Sequence, residues 1–323
     1  MLRRSKFKGL TISYPARLLL LVAASTVQAQ NPTEPPPPPL FTSFTRLVVL
    51  PVTVVDKSGR LITTLPESAF QVFENGVPQK VKQFKREDVP VSMGLIIDNS
   101  GSMRDKRQKV AAAAVALVKD SNKEDEAFVV NFNDEAYLDT PNFTNDISVL
   151  DQALSRIDSR GGTAMRDAIN MSIDHMKRYA KKDKKVILVV TDGNDNASGV
   201  SLENLVKKAQ QSEVLVYSIG LLSEEEKREA KRAKRALDLL TEATGGQAYY
   251  PKELADVERI AHQVAHDIRN QYTITYTPAN QALDGSFRQI KVVANGPGHL
   301  VARTRTGYYA TPDAVNVKAN SFR

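Results

Sequence analysis

Three oxygen-bearing side chains stand at alternate positions in the stretch Met93–Met103: Asp98, Ser100 and Ser102, with Gly101 between the hydroxyls. One carboxylate and two hydroxyls are hard donors, suited to Mg²⁺, Mn²⁺ or Ca²⁺. The apolar run Leu95-Ile96-Ile97 leads straight into Asp98. A short apolar run closed by turn residues reads as a buried strand. Side chains just past the carboxyl end of such a strand face the crevice where open α/β sheets bind ligands. A second run, Val186–Val190, ends in Thr191-Asp192-Gly193 and mirrors the first. If these strands are neighbours, Asp98 and Asp192 face each other at the sheet edge. A third piece, Gly161-Gly162-Thr163, is a flexible turn that opens a helix and presents the Thr163 hydroxyl.

The elements that must carry these loops alternate from residue 93 onward. Strand patterns cover Met93–Ile97, Ala127–Phe132, Val186–Thr191, Val214–Ile219 and Gln247–Tyr250, with Ala136–Leu138 as a short edge strand. Between them, Val110, Ala113, Ala114, Leu117 and Val118 share one helix face. Ile147, Leu150, Leu154 and Ile157 share another. Thr163–Tyr179 carries Ala164, Ala168, Met171 and Met176, and Leu254–Ile268 repeats the pattern. Strand and helix in alternation predict a doubly wound, mostly parallel sheet covered on both faces.

β-rich segments lie on either side of this block. Leu47–Val55 is β-branched and ends in the turn Asp56-Lys57-Ser58-Gly59. Phe70, Val72 and Phe73 precede Asn75-Gly76, a strong hairpin signal. Period-two alternation returns at Tyr272, Ile274 and Tyr276 and at Ile290, Val292 and Ala294, and Val301–Tyr309 reads as a last strand. The simplest arrangement pairs residues 271–311 with residues 44–88 in one small β domain and leaves residues 89–270 as an α/β insert.

The remaining composition bounds the function. The chain has 323 residues, 41% of them hydrophobic, and a formal charge of +7. Residues 1–29 hold five basic side chains and no acid, so the charge falls by five to +2 without them. Charge therefore gives no reason to infer nucleic-acid binding. Those residues have the three parts of a secretory signal: a basic stretch to Arg17, the apolar Leu18–Ala24, and Val27-Gln28-Ala29 at a cleavage position. The apolar part is far shorter than the ~20 residues of a spanning helix, and no other stretch is long enough. The expectation is an exported protein, periplasmic or secreted. Residues 30–43 are a proline-rich linker with five consecutive prolines, a semi-rigid spacer of ~3.1 Å per residue. Residues 312–323 form a tail. The absence of cysteine excludes disulfides, thiol catalysis and zinc-thiolate sites.

Several other patterns carry less. Asp192, Asn194, Asn196 and Glu203 match four positions of an EF-hand loop, but Ala197 stands where the sharp turn needs Gly and a strand precedes it. Asp195 reads as a loop acid near the rim. His262 and His266 share a helix at zinc-binding spacing but lack the intervening Glu of H-E-x-x-H and lie off the apolar stripe. Ser223–Arg235 opens with a capping box, Ser223 and Glu226, and reads as a solvated helix face rather than a surface for an anionic partner. No G-x-S-x-G, Walker motif or Cys-His pair occurs, and none of the four histidines lies near the Asp98 motif in sequence.

A D-x-S-x-S motif at Asp98, Ser100 and Ser102, a later Thr163 after glycines, and a later T-D-G at Asp192 resemble the von Willebrand factor type A (VWA) domain, over roughly residues 89–270. The resemblance implies a metal-ion-dependent adhesion site at those five positions. It also implies a divalent ion, Mg²⁺ foremost, and a protein partner whose Asp or Glu carboxylate completes the ion's shell. Acids after the motif bind a neighbouring ion in integrin-like relatives. Here Asp105 takes the first such position, but Lys106 follows, which argues against a second metal. The flanks, with Val54–Gly59, Glu74–Gly76 and Gly307–Ala310, are similar to an exported bacterial VWA-related family described mostly from Acidobacteria. The expected function is an exported, metal-dependent protein-binding module and not an enzyme. A metal-dependent hydrolase, or an envelope scaffold with a structural metal, are the alternatives.

Overall fold

The computed structural model describes residues 47–311 apart from 87, 121, 157–158 and 224–226. The signal, linker and tail read from the sequence, together with Ile157 and the Glu226 half of the capping box, lie outside the described residues.

In chain order, β1 (Val48–Val55), β2 (Phe70–Glu74), β3 (Val77–Gln79) and β4 (Val81–Lys85) precede the α/β block. The block comprises β5 (Val91–Asp98), α1 (Arg107–Lys119), β6 (Glu126–Phe132), β7 (Ala136–Leu138), α2 (Ile147–Leu154), α3 (Met165–Tyr179), β8 (Lys184–Thr191), α4 (Leu202–Ser212), β9 (Leu215–Gly220), α5 (Lys227–Thr244), β10 (Ala248–Tyr249) and α6 (Asp256–Arg269). Then follow β11 (Tyr272–Tyr276), β12 (Phe287–Ala294), β13 (Val301–Arg303) and β14 (Gly307–Tyr309).

The six-stranded central sheet has the order β10-β9-β8-β5-β6-β7. All its pairings are parallel except that of the edge strand β7. The fold class expected from the alternating pattern is thus borne out. β5 is buried along its whole length, as a strand covered on both faces must be. Leu95 and Ile97 point into one core with Val110, Leu117, Val257 and Val264. Ile96 points into the other with Phe128, Ile169, Leu205 and Leu237. The helices are locally well specified: α1 is alanine-rich, while Asp146 caps α2 at Ser148 N (2.8 Å) and Ser201 caps α4 at Asn204 N (3.2 Å).

The flanking strands form two four-stranded sheets, β13-β1-β11-β4 and β14-β12-β2-β3. Their shared core holds Leu50, Val52, Phe70, Val72, Tyr272, Ile274, Tyr276 and Ile290. Asn75 and Gly76, both at positive φ, turn β2 into β3. Buried Glu74 accepts from Tyr276 Oη (2.7 Å) and Tyr308 Oη (3.0 Å). The stretch Val301–Tyr309, read as one strand, is two. β13 pairs with β1, β14 pairs with β12, and Arg305 is buried at the break between them.

Side-chain bonds tie the α/β block to these sheets. Arg269, the last residue of α6, pairs with Asp88 (2.6 Å) and Asp125 (3.0 Å), and Asp125 also accepts Val91 N (2.8 Å). Gln271 donates to Thr53 Oγ1 (2.9 Å). The chain's departure to β5 and its return from α6 are thereby held at one place.

Candidate metal centre

β5 and β8 are parallel neighbours, with Ile97 opposite Val190. That register places Asp98 beside Thr191 and brings Asp192 over the same carboxyl edge. Asp98 is fully buried. Its Oδ2 accepts from Thr191 Oγ1 (2.5 Å) and its Oδ1 from Ser100 N (2.8 Å). Burial pushes its carboxyl up to about 6, against the opposing pull of the Ser100 and Thr191 hydrogen bonds, and the nearby Asp192 charge adds to the rise.

After Asp98 the chain makes a single 3-10 turn, Gly101–Met103, anchored by the fully buried Met103 side chain. Ser100 Oγ and Ser102 Oγ stand 3.2 Å apart, and Ser102 Oγ donates to Asp192 Oδ1 (2.8 Å). Four of the five candidate residues are therefore linked in one hydrogen-bonded patch with Thr191.

Thr163 reaches the same edge from the loop before α3, which begins at Met165, two residues later than the sequence suggested. It is buried, and its Oγ1 lies 3.8 Å from the position a Cβ would take on Gly193. Its backbone is clamped by Asn196, whose Oδ1 accepts Thr163 N (2.9 Å) and whose N donates to Thr163 O (3.1 Å). The two glycines before it are needed. Gly161 has φ +72, and a Cβ there would sit 1.9 Å from Asp134 Oδ2; at Gly162 it would sit 2.6 Å from Asn196 Oδ1. Gly101 N in turn donates to Gly161 O (3.3 Å), which seats this loop on the Ser100–Ser102 turn.

Two basic residues complete the surroundings. Lys106 Nζ contacts Asp192 Oδ2 at 2.5 Å, with the lysine side chain 32% exposed and that of Asp192 1%. Arg107 is fully buried, and its Nη2 donates to Asn131 Oδ1 (2.5 Å), while Nε and Nη1 have no hydrogen-bond partner among the described residues. Burial lowers its guanidinium to about 10, while Asp98 and Asp139 hold it charged. Two acids thus face two bases.

Sequence reasoning did not assign Lys106, Arg107, Thr191, Asn196 or Asp134 to this place. Thr191 is visible in the T-D-G motif. In the sequence Lys106 signals only the absence of an acid, and a helical Arg107 gives no sign of burial. The EF-hand spacing dissolves: Asn194 donates to Glu229 Oε2 (2.9 Å) and Asn196 clamps Thr163. Asp195 accepts Arg166 N (2.7 Å) and Arg166 Nη2 (2.9 Å), fastening the Asp192 loop to the first turn of α3. His262 and His266 are exposed, and His262 pairs with Asp120 rather than with His266.

Among the described residues no group of three or more His, Asp or Glu side chains is placed to hold a metal ion. The candidate set is of another kind, two carboxylates and three hydroxyls. All its donors are hard oxygens, which fits Mg²⁺, Mn²⁺ or Ca²⁺ and does not fit zinc or copper.

Residues 93–194, the stretch that contains all five candidates, match the family model for the von Willebrand factor type A domain. A search of curated proteins finds no match. Among solved structures, the chain is similar to a von Willebrand factor type A protein from Catenulispora acidiphila (14% identity, 87% of this chain and 78% of that one, TM-score 0.46). It is also similar to the vWF domain of the type V pili tip protein Mfa5 from Porphyromonas gingivalis (14% identity, 56% and 97%, TM-score 0.45). The PilB minor pilin from Streptococcus sanguinis is matched at 14% identity over 57% of this chain, which spans 62% of the pilin's length (TM-score 0.45).

Proposed function

We propose that this chain is an exported protein-binding module in which Asp98, Ser100, Ser102, Thr163 and Asp192 hold a divalent ion, Mg²⁺ foremost. A carboxylate from a protein partner completes the ion's shell. The observation that carries this reading is the meeting of five hard oxygen donors from three separate loops at one sheet edge. Three of the five are neutral, and the charges of Asp98 and Asp192 are already countered by Lys106 and Arg107. An added divalent ion would leave the place strongly positive, which calls for an anion from outside.

Export rests on residues 1–29. Among the described residues no helix is long and apolar enough to cross a membrane. The flanking motifs at Val54–Gly59, Glu74–Gly76 and Gly307–Ala310 resemble those of exported bacterial VWA-related proteins, which supports this reading. The test is capture of partners from the source organism's envelope fraction on immobilised protein, with Mg²⁺ and with EDTA. Specific capture that EDTA or Asp98→Ala abolishes supports the reading, and capture indifferent to both overturns it.

A further inference from the structure

Resting on the reading of the five oxygen donors as metal ligands, we propose that Lys106 is a tethered counter-cation. It competes with the divalent ion for Asp192 and so sets how tightly the site is loaded. Both oxygens of Asp192 are occupied: Oδ1 accepts from Ser102 Oγ at 2.8 Å and Oδ2 from Lys106 Nζ at 2.5 Å. A carboxylate held by an ammonium has less charge to give to a second cation. A unit charge at hydrogen-bond distance from a ligand atom also repels an incoming divalent ion directly.

The two neighbouring bases differ in what they can do about this. Arg107, the first residue of α1, is fully buried and held by Asn131 Oδ1. Its charge is a fixed background. Lys106 sits one residue before α1, with a third of its side chain in solvent and its backbone N–H bonded to Met103 O at 2.9 Å. Its four-carbon stem lets the ammonium leave Asp192 for water without moving the backbone. Metal binding on this scheme is an exchange, an ammonium out and a divalent ion in. The carboxylate never stands uncompensated in its buried position. The cost of that protection is weaker metal binding than the oxygen set alone would have.

The experiment is calorimetric titration of Mg²⁺ and of Mn²⁺ into the full chain and into the Lys106→Met and Lys106→Arg variants. It is paired with thermal melting of each in EDTA and in saturating Mg²⁺. Lys106→Met keeps the apolar stem and removes the charge. The expected result is metal binding tightened by at least about tenfold in Lys106→Met and little changed in Lys106→Arg. A lower melting temperature for Lys106→Met in EDTA should recover when Mg²⁺ is added. A folded Lys106→Met that binds both metals no more tightly than the parent overturns the competition and leaves the metal site standing. If neither the parent nor either variant binds Mg²⁺ or Mn²⁺, the assignment of the five ligands falls and the competition with it.

Discussion

Asp98→Asn tests the physical logic of the site most directly. Asp98 is fully buried and its carboxyl is raised to about 6 from an ordinary 3.8. Holding it ionised at neutral pH therefore costs the metal-free fold roughly 3 kcal/mol relative to the unfolded chain. Asparagine keeps an acceptor for Ser100 N and offers Thr191 Oγ1 a donor in place of an acceptor. It loses the extra strength of charge-assisted bonds, about 1 kcal/mol. The net expectation in EDTA is a variant more stable by about 2 kcal/mol, or ~4–8 °C in melting temperature for a domain of this size. The pH dependence has a definite sign. Between about 4 and 6 the native state keeps a proton on Asp98 that the unfolded chain has released. The metal-free parent should therefore lose stability as pH rises through that window and level off above it, and the variant should lack this slope. Magnesium reverses the order. At a hundredfold excess over its dissociation constant it adds ~2.7 kcal/mol to a protein that binds it, and it should add nothing to Asp98→Asn. Differential scanning calorimetry in EDTA and in Mg²⁺ reads all of this. A variant that melts below the parent in EDTA, or one that keeps the full Mg²⁺ gain, would refute the reasoning.

Two further outcomes follow from the same geometry. His175 is buried against Phe128 (ring centroids 4.6 Å apart) and Phe143 (5.2 Å, stacked), and burial holds its imidazole below the usual 6.5. The unfolded chain takes up that proton first as pH falls. Stability is therefore full above about 6.5 and declines below it, and urea unfolding of His175→Phe should show a shallower acid decline than the parent. Gly162→Ala drives a Cβ to 2.6 Å from Asn196 Oδ1, the atom that fixes Thr163. It should cost about 1–2 kcal/mol and shrink the Mg²⁺-induced rise in melting temperature, and an undiminished rise would show that Thr163 is not needed for loading.

Much of this molecule is legible in its sequence because period and punctuation are local properties. Continuous apolar runs such as Leu95–Ile97 and Val186–Val190 can be buried on both faces only in a covered parallel sheet. Asn75-Gly76 can hardly be anything but a tight turn. Asp98, Ser100, Ser102 and Asp192 follow such runs immediately, so strand direction alone sends them to one edge. Thr163 is brought there by the loop ahead of α3, through glycines that only a crowded turn requires.

What only the tertiary structure decides are the charges and contacts that meet across the chain. Nothing in the order of residues says that Lys106 lies on Asp192, 86 positions away, or that Arg107 is buried within electrostatic reach of Asp98. Lysine and arginine at a helix start look solvated, and whether they are depends on which loop closes over them. The break that sends β13 and β14 to different sheets is also invisible in Val301–Tyr309, because partner choice belongs to the strands already in place. The sequence by itself determined which atoms are available at the edge of the sheet. The packing of three loops and two cations around them determined the electrostatic balance, since Coulomb forces act through space and not along the chain.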